Sequence, residues 1–247
     1  MAKDEVTQPC EFDRVYTRNV PHILENIFFS LDYKSFKACK EVCKTWNELM
    51  ASDVYQKKLL GKKDIYVKLS SQLCEAAMYG RGEEVEKLLQ AGADPNEAIK
   101  YGSTPLHLVV YNNKKDVVKQ LLNAGADPNK ADTGGGTALH RAVQNHYISV
   151  IKELLDGGAD PNRADTNGRT PLHWAVKNHY ISVIKELLDG GADPNKADCM
   201  GMTPLTCALA WALHRAALIE VVEVLIKGGA MPNYQDKAGM ETLGIFM

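Results

Sequence analysis

Three histidines, His107, His140 and His173, stand thirty-three residues apart, and His146 and His179 keep the same step. Imidazoles in such number suggest metal ligation or proton transfer. Repetition of one unit accounts for them as well, and the regular step favours that account. Asp127, Asp160 and Asp193 each precede Pro-Asn. That is turn chemistry rather than a catalytic carboxylate pair. Gly134-Gly135-Gly136 is glycine-rich, but no strand precedes it and no Gly-Lys-Ser/Thr follows, so it does not read as a phosphate cradle. Cys39 and Cys43 are four apart and could share a helix face, yet no further ligand joins them. No Ser/His/Asp or Cys/His set stands outside the repetition. The sequence therefore calls for no catalytic residue, no metal and no cofactor.

The elements that carry these residues repeat with them. Asn178–Asn195 is identical to Asn145–Asn162. Leu73, Leu106, Leu139, Leu172 and Leu205 keep the thirty-three-residue step, as do Asn96, Asn129, Asn162 and Asn195. A period of this length marks units that bury their apolar faces only by stacking. Within the clearest unit Thr170 suits an N-cap and Pro171 the first helical position. A second helix should bury Ile181, Val183, Ile184, Leu187 and Leu188, and Gly191 should end it. Each unit thus reads as helix–turn–helix followed by a long turn. The fifth unit has five extra residues between Leu205 and Val221, read as a longer helix in preference to a recognition loop.

Upstream, residues 1–18 are polar and aperiodic and read as a tail. From Asn19 apolar residues recur at helical spacing, in Ile23, Leu24, Ile27, Phe28 and Leu31, and then in Val42, Trp46, Leu49 and Met50. Three short helices over residues 19–60 follow, joined by a linker (61–70) to repeats spanning 71–236. Residues 237–247 are either a short cap or the start of a truncated unit. The net charge of −2 gives no strong pull toward nucleic acid or membrane. No apolar run is long enough to span a bilayer, and the charged N-terminus lacks the core of a secretory signal. Six cysteines without a CxxC pair, in a chain of this size, suggest reduced thiols and a cytoplasmic setting.

Thr-Pro-Leu-His with Gly-Ala-Asp and Asn at this period resembles the ankyrin repeat. The first copy lacks the Thr-Pro-Leu-His opening, the third has Ala138 for proline, and the fifth has Thr206 for histidine. The resemblance implies a solenoid of helix pairs in which the repeated histidine ties turns together by hydrogen bonds. It also implies binding on the concave face, through turn tips and the exposed side of each first helix. The third and fourth units show where to look. Over 138–165 against 171–198 they differ only at Ala138/Pro171, Arg141/Trp174, Gln144/Lys177 and Arg163/Lys196. The candidate substrate-binding residues are therefore Arg141, Gln144, Trp174 and Lys177. Their equivalents Leu108, Tyr111 and Cys207 join them, with Ser103, Arg169 and Met202 at the turn tips. Trp174 is the expected anchor, since aromatics dominate interface energetics. Packing against the neighbouring unit is its alternative role.

Residues 31–46, with Leu31-Asp32, Ser35-Phe36 and Val42-Cys43-Lys44-Thr45-Trp46, resemble the second half of an F-box, and Val20-Pro21 with Ile23-Leu24 and Ile27-Phe28 resemble the first. One residue, His22, separates Pro21 from Ile23 where the family has two, which turns Pro21 away from the apolar stripe. The resemblance implies docking on a Skp-family adaptor, and through it a cullin ubiquitin ligase. Val20, Pro21, Ile23, Leu24, Ile27, Phe28, Leu31, Val42, Cys43 and Trp46 would form that interface. The expected fold is all-α, an F-box-like three-helix cluster followed by an ankyrin solenoid. The expected function is a non-enzymatic adaptor that presents an unknown protein substrate. The alternative is an ankyrin scaffold or inhibitor with the N-terminal helices as a cap. The order of domains is similar to effectors that intracellular bacteria deliver into host cells, which would place the protein in the host cytosol; a eukaryotic F-box protein is the other origin.

Overall fold

The computed structural model describes residues 67–210, 215–233 and 236. The chain divides into two compact units, 1–69 and 70–247. The ten residues from Val20 to Trp46 named for the adaptor interface lie outside the described residues. The described residues are helical, with no strand among them.

Five helix pairs follow one another: α1 (67–78) with α2 (Gly82–Gln90), α3 (Pro105–Val109) with α4 (Lys115–Asn123), α5 (Ala138–Gln144) with α6 (Ile148–Asp156), α7 (Pro171–Lys177) with α8 (Ile181–Asp189), and α9 (Pro204–Ala210) with α10 (Arg215–Lys227). The sequence sets these bounds. Thr104, Thr137 and Thr170 take extended backbone and start α3, α5 and α7, and proline opens α3 and α7. Proline costs nothing there because the first helical N–H has no partner to lose. Gly191, past the end of α8, has φ +87°, which favours glycine.

Helical spacing on the second helices puts Val183, Ile184 and Leu187 inside, while Ile181 and Leu188 are half-buried. Leu106, Leu139, Leu172 and Leu205 on the first helices are all but fully buried. Each such leucine stabilises the stack by about 1.5–3 kcal/mol. No unit could bury this surface alone, because each inner face is covered by the next unit.

Polar staples run between units at the same step. The Asn129 side chain donates to the Gly158 carbonyl at 3.0 Å and accepts from the Asp160 N–H at 2.7 Å. Asn96, Asn162 and Asn195 make the equivalent pair of bonds. On the outer helices Lys152 reaches Glu186 at 3.0 Å. The fifth unit, which carries the extra residues, has the longer second helix. Thirteen residues form α10 against nine in α8.

Candidate protein-binding groove

The long turns and first helices build one side of the stack. Each turn is closed by an aspartate that keeps the thirty-three-residue step. Asp132 Oδ1 accepts the N–H groups of Gly134 and Gly136 at 2.8 and 3.0 Å. Asp165 does the same for Asn167 and Arg169, and Asp198 for Met200 and Met202. Successive turns bond through backbone: Tyr101 O accepts from Thr133 N, Gly134 O from Thr166 N and Asn167 O from Cys199 N, each at 3.0 Å. At Gly135 a Cβ would sit 2.6 Å from the Thr166 nitrogen, so only glycine lets the turns approach this closely.

The repeated histidines lock these turns to the helices. His140 Nδ1 accepts the Thr137 N–H at 3.1 Å and lies 3.0 Å from the Thr137 hydroxyl. Its Nε2–H then donates to the Arg169 carbonyl of the next unit at 3.1 Å. His107 bonds in the same way to Thr104 and the Gly136 carbonyl, and His173 to Thr170 and the Met202 carbonyl. Burial holds all three below the ordinary imidazole pKa, against the opposing pull of the carbonyl bond. They are structural. His146 and His179 have another cause: both occupy a left-handed turn position that Gly80 and Asn113 fill in earlier units. Among the described residues no group of three or more His, Cys, Asp or Glu is placed to hold a metal.

The spare oxygen of each turn aspartate takes a different donor. Asp132 Oδ2 accepts from Arg141 at 2.7 Å. The same guanidinium donates to Ser103 Oγ at 3.1 Å and to the Tyr111 hydroxyl, with its carbon 5.3 Å from the Tyr111 ring centre. Burial pushes the Asp132 carboxyl up, but the bonds from Arg141, Gly134 and Gly136 outweigh it and hold the pKa below the ordinary value. Asp165 Oδ2 accepts instead from the Trp174 indole at 3.2 Å. Asp198 Oδ2 lies 3.9 Å from Arg169 Nε. Lys177 Nζ and the Arg169 guanidinium stand over the Trp174 ring, 4.9 and 5.6 Å from its centre. Trp174 is half-buried.

Between these side chains lies a groove of about 350 Å³, lined by Tyr111, Asp132, Gly134, Gly136, His140, Arg141, Gln144, Asp165 and Trp174. Four of the ten substrate-face residues named from sequence line it: Tyr111, Arg141, Gln144 and Trp174. Lys177 and Arg169 adjoin it through the indole. Three others are corrected by burial. Leu108 is 7 % exposed, Ser103 6 % and Cys207 0 %. At the position shared by Leu108, Arg141, Trp174 and Cys207, only the long side chains reach past the packed helices. Burial also pushes the Cys207 thiol up to about 11, with Asp198 adding to it. Ser103, Arg169 and Met202 do not stand at turn tips either. Their carbonyls close the necks of the turns, accepting from Ile99, Asp165 and Asp198 N–H groups. The exposed tips carry Tyr101 and Met200. The sequence reading missed Asp132 and Asp165; their thirty-three-residue step was the signal.

A stack of helix pairs that presents a polar, aromatic groove is a binding scaffold that engages other proteins. Family models match ankyrin repeats (three copies) over residues 73–165 and 149–236, about two thirds of the chain, and an F-box domain over residues 19–57. The chain belongs to the ankyrin-repeat family, and it is an F-box and ankyrin-repeat protein. No curated protein matches it significantly. Among the described residues no helix is long and apolar enough to cross a membrane.

Proposed function

We propose that this chain is the substrate-recognition subunit of a Skp–cullin–F-box ubiquitin ligase. The observation that carries the reading is the joining of an F-box domain match at 19–57 to a repeat stack that offers a shaped groove. The F-box segment, taken as residues 19–60 after a tail (1–18), docks its apolar residues on a Skp-family adaptor. Ile27 and Trp46 belong to that set. A linker, taken as residues 61–70 although its last four residues already belong to α1, leads to the five repeats (71–236), and residues 237–247 are a short cap or the start of a truncated unit. The groove around Arg141, Gln144 and Trp174 receives a protein substrate. The chain performs no chemistry of its own. It acts by proximity, raising the effective concentration of substrate near the charged ubiquitin enzyme. That work places it in the cytosol, the host's cytosol if the protein is a delivered effector.

The test is co-purification of the full chain with a Skp-family adaptor. The wild type should retain the adaptor, and Ile27→Asp and Trp46→Ala should release it while the helical signal of the repeats stays constant. Retention by both variants, or no binding by the wild type, sinks the ligase reading and leaves an ankyrin scaffold or inhibitor.

A further inference from the structure

The third unit contains a worked example of how this surface holds an arginine. There the guanidinium of Arg141 pairs with the turn carboxylate Asp132 at 2.7 Å. The fifth unit's turn carboxylate, Asp198, also faces a guanidinium, that of Arg169. In the fourth unit tryptophan replaces the arginine. Asp165 then keeps only N–H donors: two backbone amides and the Trp174 indole. No cation forms an ion pair with it among the described residues. A carboxylate oxygen has room for more than one donor. Unlike Asp198, Asp165 lines the open groove, beside Trp174. The groove lining holds two carboxylates against one guanidinium, since burial keeps His140 neutral. Lys177 and Arg169 stand over the indole but are not among the lining residues.

We propose that this groove receives an arginine side chain of the partner protein, its guanidinium on Asp165 Oδ2 and its aliphatic stem along Trp174. The ligand supplies in the fourth unit what Arg141 supplies in the third. Arginine fits better than lysine, because a planar fork can share the carboxylate with the indole N–H and hold a fixed orientation. The inference rests on the groove being the substrate face, and it narrows the substrates to proteins with an exposed arginine. The sequence difference Arg141/Trp174 then has a use: one unit fills its own site and its twin leaves that site vacant for a partner.

The full chain is titrated into a fluorescent peptide, Gly-Ser-Arg-Ser-Gly, and into versions with citrulline or glutamate at the centre, with anisotropy as readout. Citrulline keeps the shape of arginine and removes its charge. The arginine peptide should bind, with the citrulline version weaker by roughly tenfold or more and the glutamate version weaker still. Asp165→Asn should weaken the arginine peptide by a similar factor. Because that change also touches the turn, Trp174→Arg is the second variant. It leaves the carboxylate in place and fills the site from within, so binding should vanish while the melting temperature holds or rises. Equal binding of the citrulline peptide, preference for glutamate, no binding of the arginine peptide, or full binding by Trp174→Arg each overturns the proposal. Adaptor retention through the F-box segment reads a separate part of the chain, so the ligase reading and this one fail independently.

Discussion

Lowering the pH from 7.5 to 5.5 should loosen the repeat stack, and three histidines set the size of the effect. His107, His140 and His173 are 1–2 % exposed, and each accepts a backbone N–H at Nδ1. Protonating Nδ1 would set two N–H groups against each other in a buried place. Their folded pKa values accordingly lie below the ordinary 6.5, with burial as the largest cause. The unfolded chain then binds more protons than the folded one, so stability is full above about pH 6.5 and declines as the pH falls toward the folded values. Each histidine is worth up to about 1.4 kcal/mol per pH unit below its unfolded pKa. Three together are worth at most about 4 kcal/mol at pH 5.5, to be set against the 5–15 kcal/mol typical of a folded domain. Asp132, Asp165, Asp198, Arg141 and Arg169 are the charged groups around the imidazoles, and their fields are weaker than the effect of burial. Urea unfolding followed by circular dichroism at half-unit pH steps measures the loss, which thermal melts should show as a fall of at most roughly 8–16 °C. The fifth unit supplies the control, because Thr206 replaces histidine there and its hydroxyl meets Thr203 Oγ1 at 3.0 Å. His140→Thr should lower stability at pH 7.5 yet remove about a third of the pH slope. A midpoint that stays flat from pH 7.5 to 5.5, or an undiminished slope in His140→Thr, would refute the assignment of these histidines as neutral turn locks.

Asn129→Ala severs both side-chain bonds that Asn129 makes to the third unit, at Gly158 O and Asp160 N, and should cost about 1–3 kcal/mol in urea unfolding. Gly135→Ala and Gly158→Ala separate two meanings of a positive φ, +74° and +87°. At Gly158 a Cβ meets nothing within 4 Å, so only the backbone cost of about 1–2 kcal/mol applies. At Gly135 the Cβ strikes the Thr166 backbone at 2.6 Å, so its melting temperature should fall clearly further; equal losses would show that the turns do not need their close approach.

The repeat architecture was legible because it is written in period. Capping threonines, N1 prolines, buried leucines and stapling asparagines all keep one step, and each has a local physical cause. The groove was legible only in part. Comparing the near-identical units picked out Arg141, Gln144 and Trp174, since the shared residues are scaffold and only the differing ones are free to specialise. Sequence offset alone did not reveal depth. Leu108 and Cys207 share the Arg141 register, but a short side chain there ends inside the packing. Nor did it separate the neck of a turn from its tip, which depends on the carbonyl of Arg169 or Met202 being claimed by a histidine one unit earlier. The carboxylates Asp132 and Asp165 belong to no motif of their own, and only the geometry shows that one oxygen of each closes its turn while the other takes a side-chain donor in the groove.

A chain that lost residues 145–177 would join Gln144 to Asn178 and leave its local sequence unchanged, because Asn145 and Asn178 begin identical segments. Asn129 would staple to Gly191 in place of Gly158, and no interface would need redesign. What would vanish is Asp165 and Trp174, the vacant half of the groove. The number of units is therefore a quantity that inheritance can raise or lower at little cost to folding, and a spare copy is free to be tuned toward a new client. The third and fourth units look like one such event, in which the scaffold was copied whole and recognition was rewritten at a few positions.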